Sequence, residues 1–342
     1  MKKFGFSIGF IVAVFLVMLY YIFFVDDPVL LYGALSSAKI WPLIVAFLLM
    51  VLYWIFETLA QYFVFKSGGS KLSFFKVLRV TMVGQLFNCI TPSASGGQPM
   101  QIYEMTRYGV SAGNGTCMLL VRFLIYQLIM VLYSGVMLIL KLSYFNSQIS
   151  AFASLALVGF LVNFGVLIGL ILACFFPQFA VKISAVVFNF LHKIKLCKNS
   201  RKKIEKVTEE VKKFNDSFNF YKGNLKVSVL PALSSMLQLT VFFLVPYFVA
   251  LSLGVKMPLD IAFAAASLVF MICSFVPLPG GSGGAEGAFL LLFGGAFAVA
   301  NKSVAVAILL WRVFTFYLPI LVGTVFFVSK RKGKFKGGQN QC

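Results

Sequence analysis

The sequence predicts an all-α polytopic membrane protein with about six full transmembrane helices and two oppositely oriented re-entrant helical hairpins. Three observations predict it. Apolar residues make up 60% of the 342 positions and charged residues 12%, where a soluble domain carries about 25% charge. Several apolar stretches reach the roughly 20 residues that cross a bilayer as helix. Two Pro/Gly/Ser clusters, Thr91–Pro99 and Pro277–Gly287, interrupt long apolar stretches. Such breaks free backbone N–H and C=O groups that lipid cannot satisfy, so they survive only inside protein or beside a watery cavity.

The elements follow in order. Lys2 and Lys3 precede the uncharged stretch Phe4–Val25, which is longer than the roughly 7–15 residues of a signal-peptide core, so a retained first span is expected there. Further full spans are expected at 40–65, 116–140, 151–176, 227–252 and 304–328. Between them lie two shorter units, 72–115 and 258–300, each centred on one break. In the first, Val80–Ile90 offers 11 residues, about 16 Å of helix against an apolar core of about 30 Å. The arm 288–300 is similarly short, and neither tip carries Lys or Arg. These features read as hairpins turning back near the midplane; the alternative is a pair of ordinary helical hairpins with tight turns. No linker or low-complexity segment divides the chain, so residues 1–342 are read as one integral-membrane domain with a basic loop at 177–226 and a basic tail at 329–342. In the loop, Phe179, Ile183, Val186 and Phe190 recur near helical spacing beside Lys182 and Lys193, the pattern of an interfacial helix. Arg201–Lys213 reads as a charged helical segment.

Charge gives the orientation. The net charge is +20, and the basic residues sit in loops beside apolar spans, where they set topology and meet anionic headgroups. Lys2 and Lys3, then Lys66, Lys71, Lys76 and Arg79, then the loop with its twelve Lys or Arg against four acids, then the tail all fall on one side if the spans alternate. That side is expected to be cytoplasmic, with both termini, and Asp26, Asp27 and Asp260 fall on the other. The first unit then enters from the cytoplasm and the second from outside.

Several function classes are excluded by composition. No aromatic-interleaved basic motif points to nucleic acid. The six cysteines lack metal or disulfide spacing, and the single histidine, His192, rules out His-based triads and HExxH zinc sites. No metal or cofactor is expected. The glycine-rich breaks are not phosphate-binding P-loops, because no Gly-Lys-Ser/Thr follows. Their glycines either shape a site or permit close helix packing, the role expected of Gly165 and Gly169 in span 151–176.

The candidate site residues are the ionisable groups inside the apolar stretches, each costly unless paired or wetted. They are Glu57, Arg122, Glu286 and Arg312. Near the first hairpin lie Arg79, Glu104 and Arg107, the last two being three apart and able to pair on one helix face. Glu57 and Gln61 share a face as well. Pro99 suits a first helical turn, where its missing N–H matters least, so Gly96, Gly97 and Gln98 would present N–H groups at a positive helix end. Gly283, Gly284 and Ala285 stand in the corresponding place in the second hairpin. With an arginine beside it, such an end suits phosphate. Glu286 and Glu57 would receive a cationic group or hold Arg312 or Arg122 in place.

At these motifs the chain resembles the lysylphosphatidylglycerol synthase transmembrane (flippase-like) family. Thr91-Pro-Ser with Gly96-Gly97-Gln98-Pro99 and Tyr103 resembles its first signature. Pro279-Gly-Gly-Ser-Gly-Gly-Ala-Glu286-Gly resembles its second, and Arg312 to Pro319 with Gly323 resembles the motif of its last span. Gln98 stands where the family's pattern often has Glu. The resemblance implies a lipid flippase of the bacterial plasma membrane that moves an anionic or aminoacylated phospholipid of the lysylphosphatidylglycerol type. It also implies a link to cationic-peptide resistance. In the members this resemblance points to, the transferase that makes that lipid is a fused C-terminal cytosolic domain, and the sequence here ends at Cys342, soon after the last span. The chain is therefore not expected to catalyse the transfer alone. The alternatives the resemblance leaves open are a membrane component of phosphatidylglycerol lysyltransferase and a polyprenyl-lipid glycan pathway protein. Expected partners are membrane phospholipid, anionic headgroups, a soluble aminoacyltransferase or glycosyltransferase, and a second copy of the chain.

Overall fold

The computed structural model describes residues 38–148, 152–176, 200–273, 276 and 278–329. The expected span 4–25, the interfacial helix of 179–191 and the tail beyond 329 lie outside the described residues. The chain is an all-α multi-pass membrane protein. In order run α1 (Ile40–Ser67), α2 (Phe74–Ile90), α3 (Gly97–Arg107), α4 (Ala112–Gln148), α5 (Phe152–Phe175) and α6 (Ser200–Gly223). A 3-10 turn at Leu225–Ser228 leads into α7 (Val229–Ser252), followed by α8 (Leu259–Cys273) and α9 (Gly284–Val299). The last span joins α10 (Val304–Arg312), a π turn at Val313–Tyr317 and α11 (Leu318–Val328) into one rod.

Among the described residues, four helices are long and apolar enough to cross a membrane: 40–67, 112–147, 225–252 and 304–328. Their outward faces carry exposed Leu132, Ile139 and Leu321, the surface lipid demands. Inward, Phe243, Phe289, Phe293 and Phe297 are fully buried. Phe289 stacks on Phe293 at 4.5 Å between ring centroids and meets Trp311 of α10 at 5.1 Å.

Contacts sort the element ends into two sets. At the basic end, the Tyr221 hydroxyl of α6 donates to Val64 O of α1 at 2.7 Å. The Glu210 carboxylate accepts from Gly113 N at the start of α4, and Ser217 donates to Asn114 Oδ1 at 3.1 Å. Helix α6 thus straps α1 to α4, which accounts for the helix expected at 201–213 and carries it on to Gly223. Arg79 of α2 donates to Ser329 Oγ and O, each at 3.3 Å. At the opposite end, Lys39 N donates to Ser252 O at 2.8 Å, and Lys141 of α4 pairs with Asp260 of α8.

The α2–α3 hairpin therefore opens at the basic end and the α8–α9 hairpin at the other. Their turns meet: Pro92 and Pro279 pair as an isolated antiparallel bridge. The rod beside them fixes the level of this contact. It is 25 residues long, about 37 Å, with Ser329 beside Arg79 at its basic end. Gly323 faces Met82 and Leu86, and Phe316, halfway along, lies against Gly280.

Two expectations are corrected. The hairpin arms are longer than the breaks alone suggest. Helix α2 has 17 residues, because it starts at Phe74 behind the turn in which Lys76 N donates to Ser73 O, and α9 has 16. The short arm of the first hairpin is instead α3, with 11 residues, about 16 Å. Gly165 and Gly169 do not pack closely inside the chain: a Cβ at either would meet nothing within 4 Å, because both lie on the outward face of α5.

Candidate functional site

The first turn is held by its own side chains. Thr91 Oγ1 donates to Phe87 O at 2.5 Å, closing α2, and accepts the Gly96 N–H at 2.9 Å, opening α3. Ser93 and Ala94 sit at φ +50° and +52°, a left-handed conformation that costs non-glycine residues about 1–2 kcal/mol each. Gly97 lets the two arms touch: a Cβ there would lie 1.8 Å from Asn88 Oδ1. Pro99 falls in the first turn of α3, and the Gln98 N–H of that turn has no intramolecular partner among the described residues. Pro92 to Ser95 are exposed, although they lie beside the middle of the last span. Backbone at that depth needs water or polar groups around it.

The second turn is gripped by the last span. Arg312 Nε donates to Glu286 Oε1 at 2.7 Å, and Nη1 donates to Gly280 O at 3.0 Å. The other oxygen, Glu286 Oε2, accepts the Gly283 N–H at 2.6 Å, closing the first turn of α9. The Ala285 N–H is taken by Gly281 O at 3.0 Å. The positive end of α9 is thus occupied by its own carboxylate. Arg312 is 5% exposed, with its guanidinium carbon 5.1 Å from the Trp311 ring and 5.4 Å from that of Phe316. Its Nη2 is buried without a hydrogen-bond partner. The π turn follows directly. Pro319 has no N–H to give the preceding turn, and the helix relaxes to the wider bond from Leu318 N to Val313 O.

A second charged centre lies across α1, α2, α4 and α7. Glu57 Oε2 accepts from Gln85 Nε2 at 2.6 Å, and Arg122 Nη2 donates to Gln238 Oε1 at 2.5 Å. The Tyr53 hydroxyl lies within interaction range of both Gln85 and Gln238, between the two halves. Neutral groups therefore separate the carboxylate from the guanidinium, which nevertheless acts on it electrostatically. The Arg122 guanidinium also lies 5.3 Å from the Tyr126 ring, and its Nε is buried without a partner. Gln61 accepts from Thr81 at 3.0 Å on the same side of α1. Cys89, one turn beyond Gln85, lies within electrostatic reach of both Glu57 and Arg312, so the two centres share one interior.

The structure thus brings Gly283, Gly284 and Glu286 to Arg312, and places Gly96, Gly97 and Gln98 on the turn that meets this group. Glu57 and Arg122 form the other centre. Glu104 lies between Arg107 and Arg79 at the base of the first hairpin. Tyr53, Tyr126 and Gln238 are the participants that sequence reasoning missed. A glutamine in a largely apolar run such as Leu237–Val245 is the signal that could have found Gln238.

A helical, multi-pass membrane protein with two broken hairpins and a charged interior is the class these features define. The chain belongs to the family described as the lysylphosphatidylglycerol synthase TM region, which it matches over residues 7–323. It is similar to a "UPF0104 membrane protein" of Archaeoglobus fulgidus, 25% identical over 318 residues that cover 89% of this chain and 91% of that protein.

Proposed function

We propose that this chain is a lipid translocase, moving an anionic or aminoacylated phospholipid of the lysylphosphatidylglycerol type across the plasma membrane. The observation that carries the reading is the meeting of two broken hairpins, entering from opposite ends, halfway along the last span and beside two buried arginines with unpartnered nitrogens. Family membership supports it.

In this reading both hairpins are re-entrant, the basic end is cytoplasmic by the positive-inside tendency, and the acyl chains stay in lipid while the headgroup crosses the polar interior. The roles divide by what each residue already holds. Arg122, tied to one neutral amide, takes the lipid phosphate together with the Gln98 N–H and the Gly96–Gly97 turn. Arg312, tied to Glu286 and Gly280, keeps Gly283, Gly284 and the second turn in place and offers its free Nη2. Glu57 receives a headgroup amine. The lipid arrives from a separate aminoacyltransferase or glycosyltransferase.

Reconstitution into vesicles with fluorescent phosphatidylglycerol and lysyl-phosphatidylglycerol tests this. Dithionite bleaches only outer-leaflet probe, so translocation shows as loss of the protected fraction. Loss that is fast with wild type and absent with Arg122→Gln supports the proposal. No acceleration by folded protein with either lipid overturns it, and headgroup modification on adding an aminoacyl donor would assign the chain to a transferase instead.

A further inference from the structure

A third charge cluster, at the base of the first hairpin, takes no part in the midspan arrangement. Glu104 is 1% exposed and lies between two guanidinium groups. Arg79 Nε is 3.7 Å from Glu104 Oε2, and Arg107 Nη1 is 3.9 Å from Oε1. Both separations exceed the roughly 2.7–2.9 Å of a charge-assisted hydrogen bond. Arg79 Nε and Arg107 Nη1 are buried and have no hydrogen-bond partner. Two arginines facing one carboxylate also leave a positive charge over.

The cluster has an open edge. Tyr103, 44% exposed, lies 5.9 Å from the Arg107 guanidinium, and Lys76 stands over the Tyr108 ring at 5.4 Å. Its depth is marked by aromatic residues: Phe75 is 78% exposed and packs edge-on against Phe74, which meets Tyr62. Exposed aromatic residues beside lysines mark the level of lipid headgroups. Free guanidinium N–H groups in a planar fork match phosphate oxygens, and at this level phosphate is presented by phospholipid.

We propose that Arg79 and Arg107 form a phosphate-binding site at the basic end of the molecule, separate from the midspan centres, that takes the phosphodiester of an anionic phospholipid. Glu104 holds the two arginines face to face and competes with the phosphate for them. The two residue types therefore have opposite effects on affinity, which a purely structural ion cluster does not produce.

The test is retention of phosphatidylglycerol by the delipidated full-length protein in detergent, read by native mass spectrometry. Diacylglycerol serves as the neutral control and inorganic phosphate as the soluble competitor. Hydrogen bonds to charged groups contribute about 1.5–3 kcal/mol, so Arg107→Gln is expected to weaken retention roughly tenfold or more. Glu104→Gln is expected to strengthen it severalfold, with diacylglycerol unretained throughout. Displacement by millimolar inorganic phosphate supports the anion site but assigns it to free phosphate; its absence assigns the site to lipid. Unchanged retention in Arg107→Gln, or equal losses in Arg107→Gln and Glu104→Gln, overturns the proposal. Arg107 lies at the open edge, so its variant carries the test if Glu104→Gln does not fold. The comparison is made in an Arg122→Gln background, which removes the phosphate contact proposed for the midspan site, so failure of the translocase reading does not decide the result.

Discussion

Arg312 holds Glu286 by Nε at 2.7 Å while the same carboxylate caps the Gly283 N–H. One ion pair thereby ties the last span to the turn of the second hairpin. Removing one partner of a buried pair strands the other, at about 3–5 kcal/mol. Glu286→Gln and Arg312→Gln are each expected to lower stability by about that amount, and the double variant by clearly less than their sum. Thermal unfolding in detergent, arranged as a double-mutant cycle, measures this. Strict additivity would show that the two residues act independently.

The contact between the turns predicts a cross-link. Directly opposed residues of an antiparallel pair have Cα atoms about 4.5–5.5 Å apart, within the range a disulfide bridges. In a background stripped of the native cysteines, Pro92→Cys with Pro279→Cys is expected to form a disulfide rapidly on mild oxidation. Proteolysis between the hairpins followed by non-reducing electrophoresis detects it. Fragments that separate under all oxidising conditions would contradict the pairing.

Gly280 is required on two counts. Its φ is +60°, and a Cβ would lie 2.1 Å from Phe316 Cε2. Gly280→Ala is expected to lose about 1–2 kcal/mol from the backbone conformation alone and more from the clash. Adding Phe316→Leu should recover the clash but not the backbone part. Thermal stability of the single and double variants separates the two.

The neutral groups between Glu57 and Arg122 predict a graded series. Gln238→Leu removes the acceptor of Arg122 and leaves a buried guanidinium uncompensated, an expected loss of about 1–3 kcal/mol. Tyr53→Phe removes one hydroxyl from between the two halves and is expected to cost less. Both are checked by unfolding together with lipid translocation, in which Gln238→Leu should approach the effect of Arg122→Gln.

The spans and the two breaks were legible because length, hydropathy and Pro/Gly chemistry are local signals. Arg312 and Glu286 were legible because a charge inside an apolar run is conspicuous. Which charge meets which was not: Glu286 had both Arg122 and Arg312 as candidates, and only the packing of α9 on α10 selects Arg312. Arg122 instead meets Gln238, 116 positions away in the chain, a distance no periodicity reports. Tyr53 and Tyr126 look like ordinary aromatic residues of a span until the helices bring them to the amides. Gly165 shows the opposite failure. A small-residue spacing promised close packing, yet α5 turns it outward, so Gly165→Ala is expected to leave the stability of the single chain unchanged.

The bridge at Pro92 and Pro279 has one more consequence. Proline has no N–H, so neither residue can donate across the joint. Within each turn Ser95 N donates to Pro92 O and Ser282 N to Pro279 O, and the bridge itself is carried by the residues flanking the two prolines. The joint between the turns is thus narrow, a single bridged pair between helices that each carry a full ladder of bonds. In the proposed cycle the two leaves can swing apart as finished pieces, and a passing headgroup has a seam to push open without any helix to unwind.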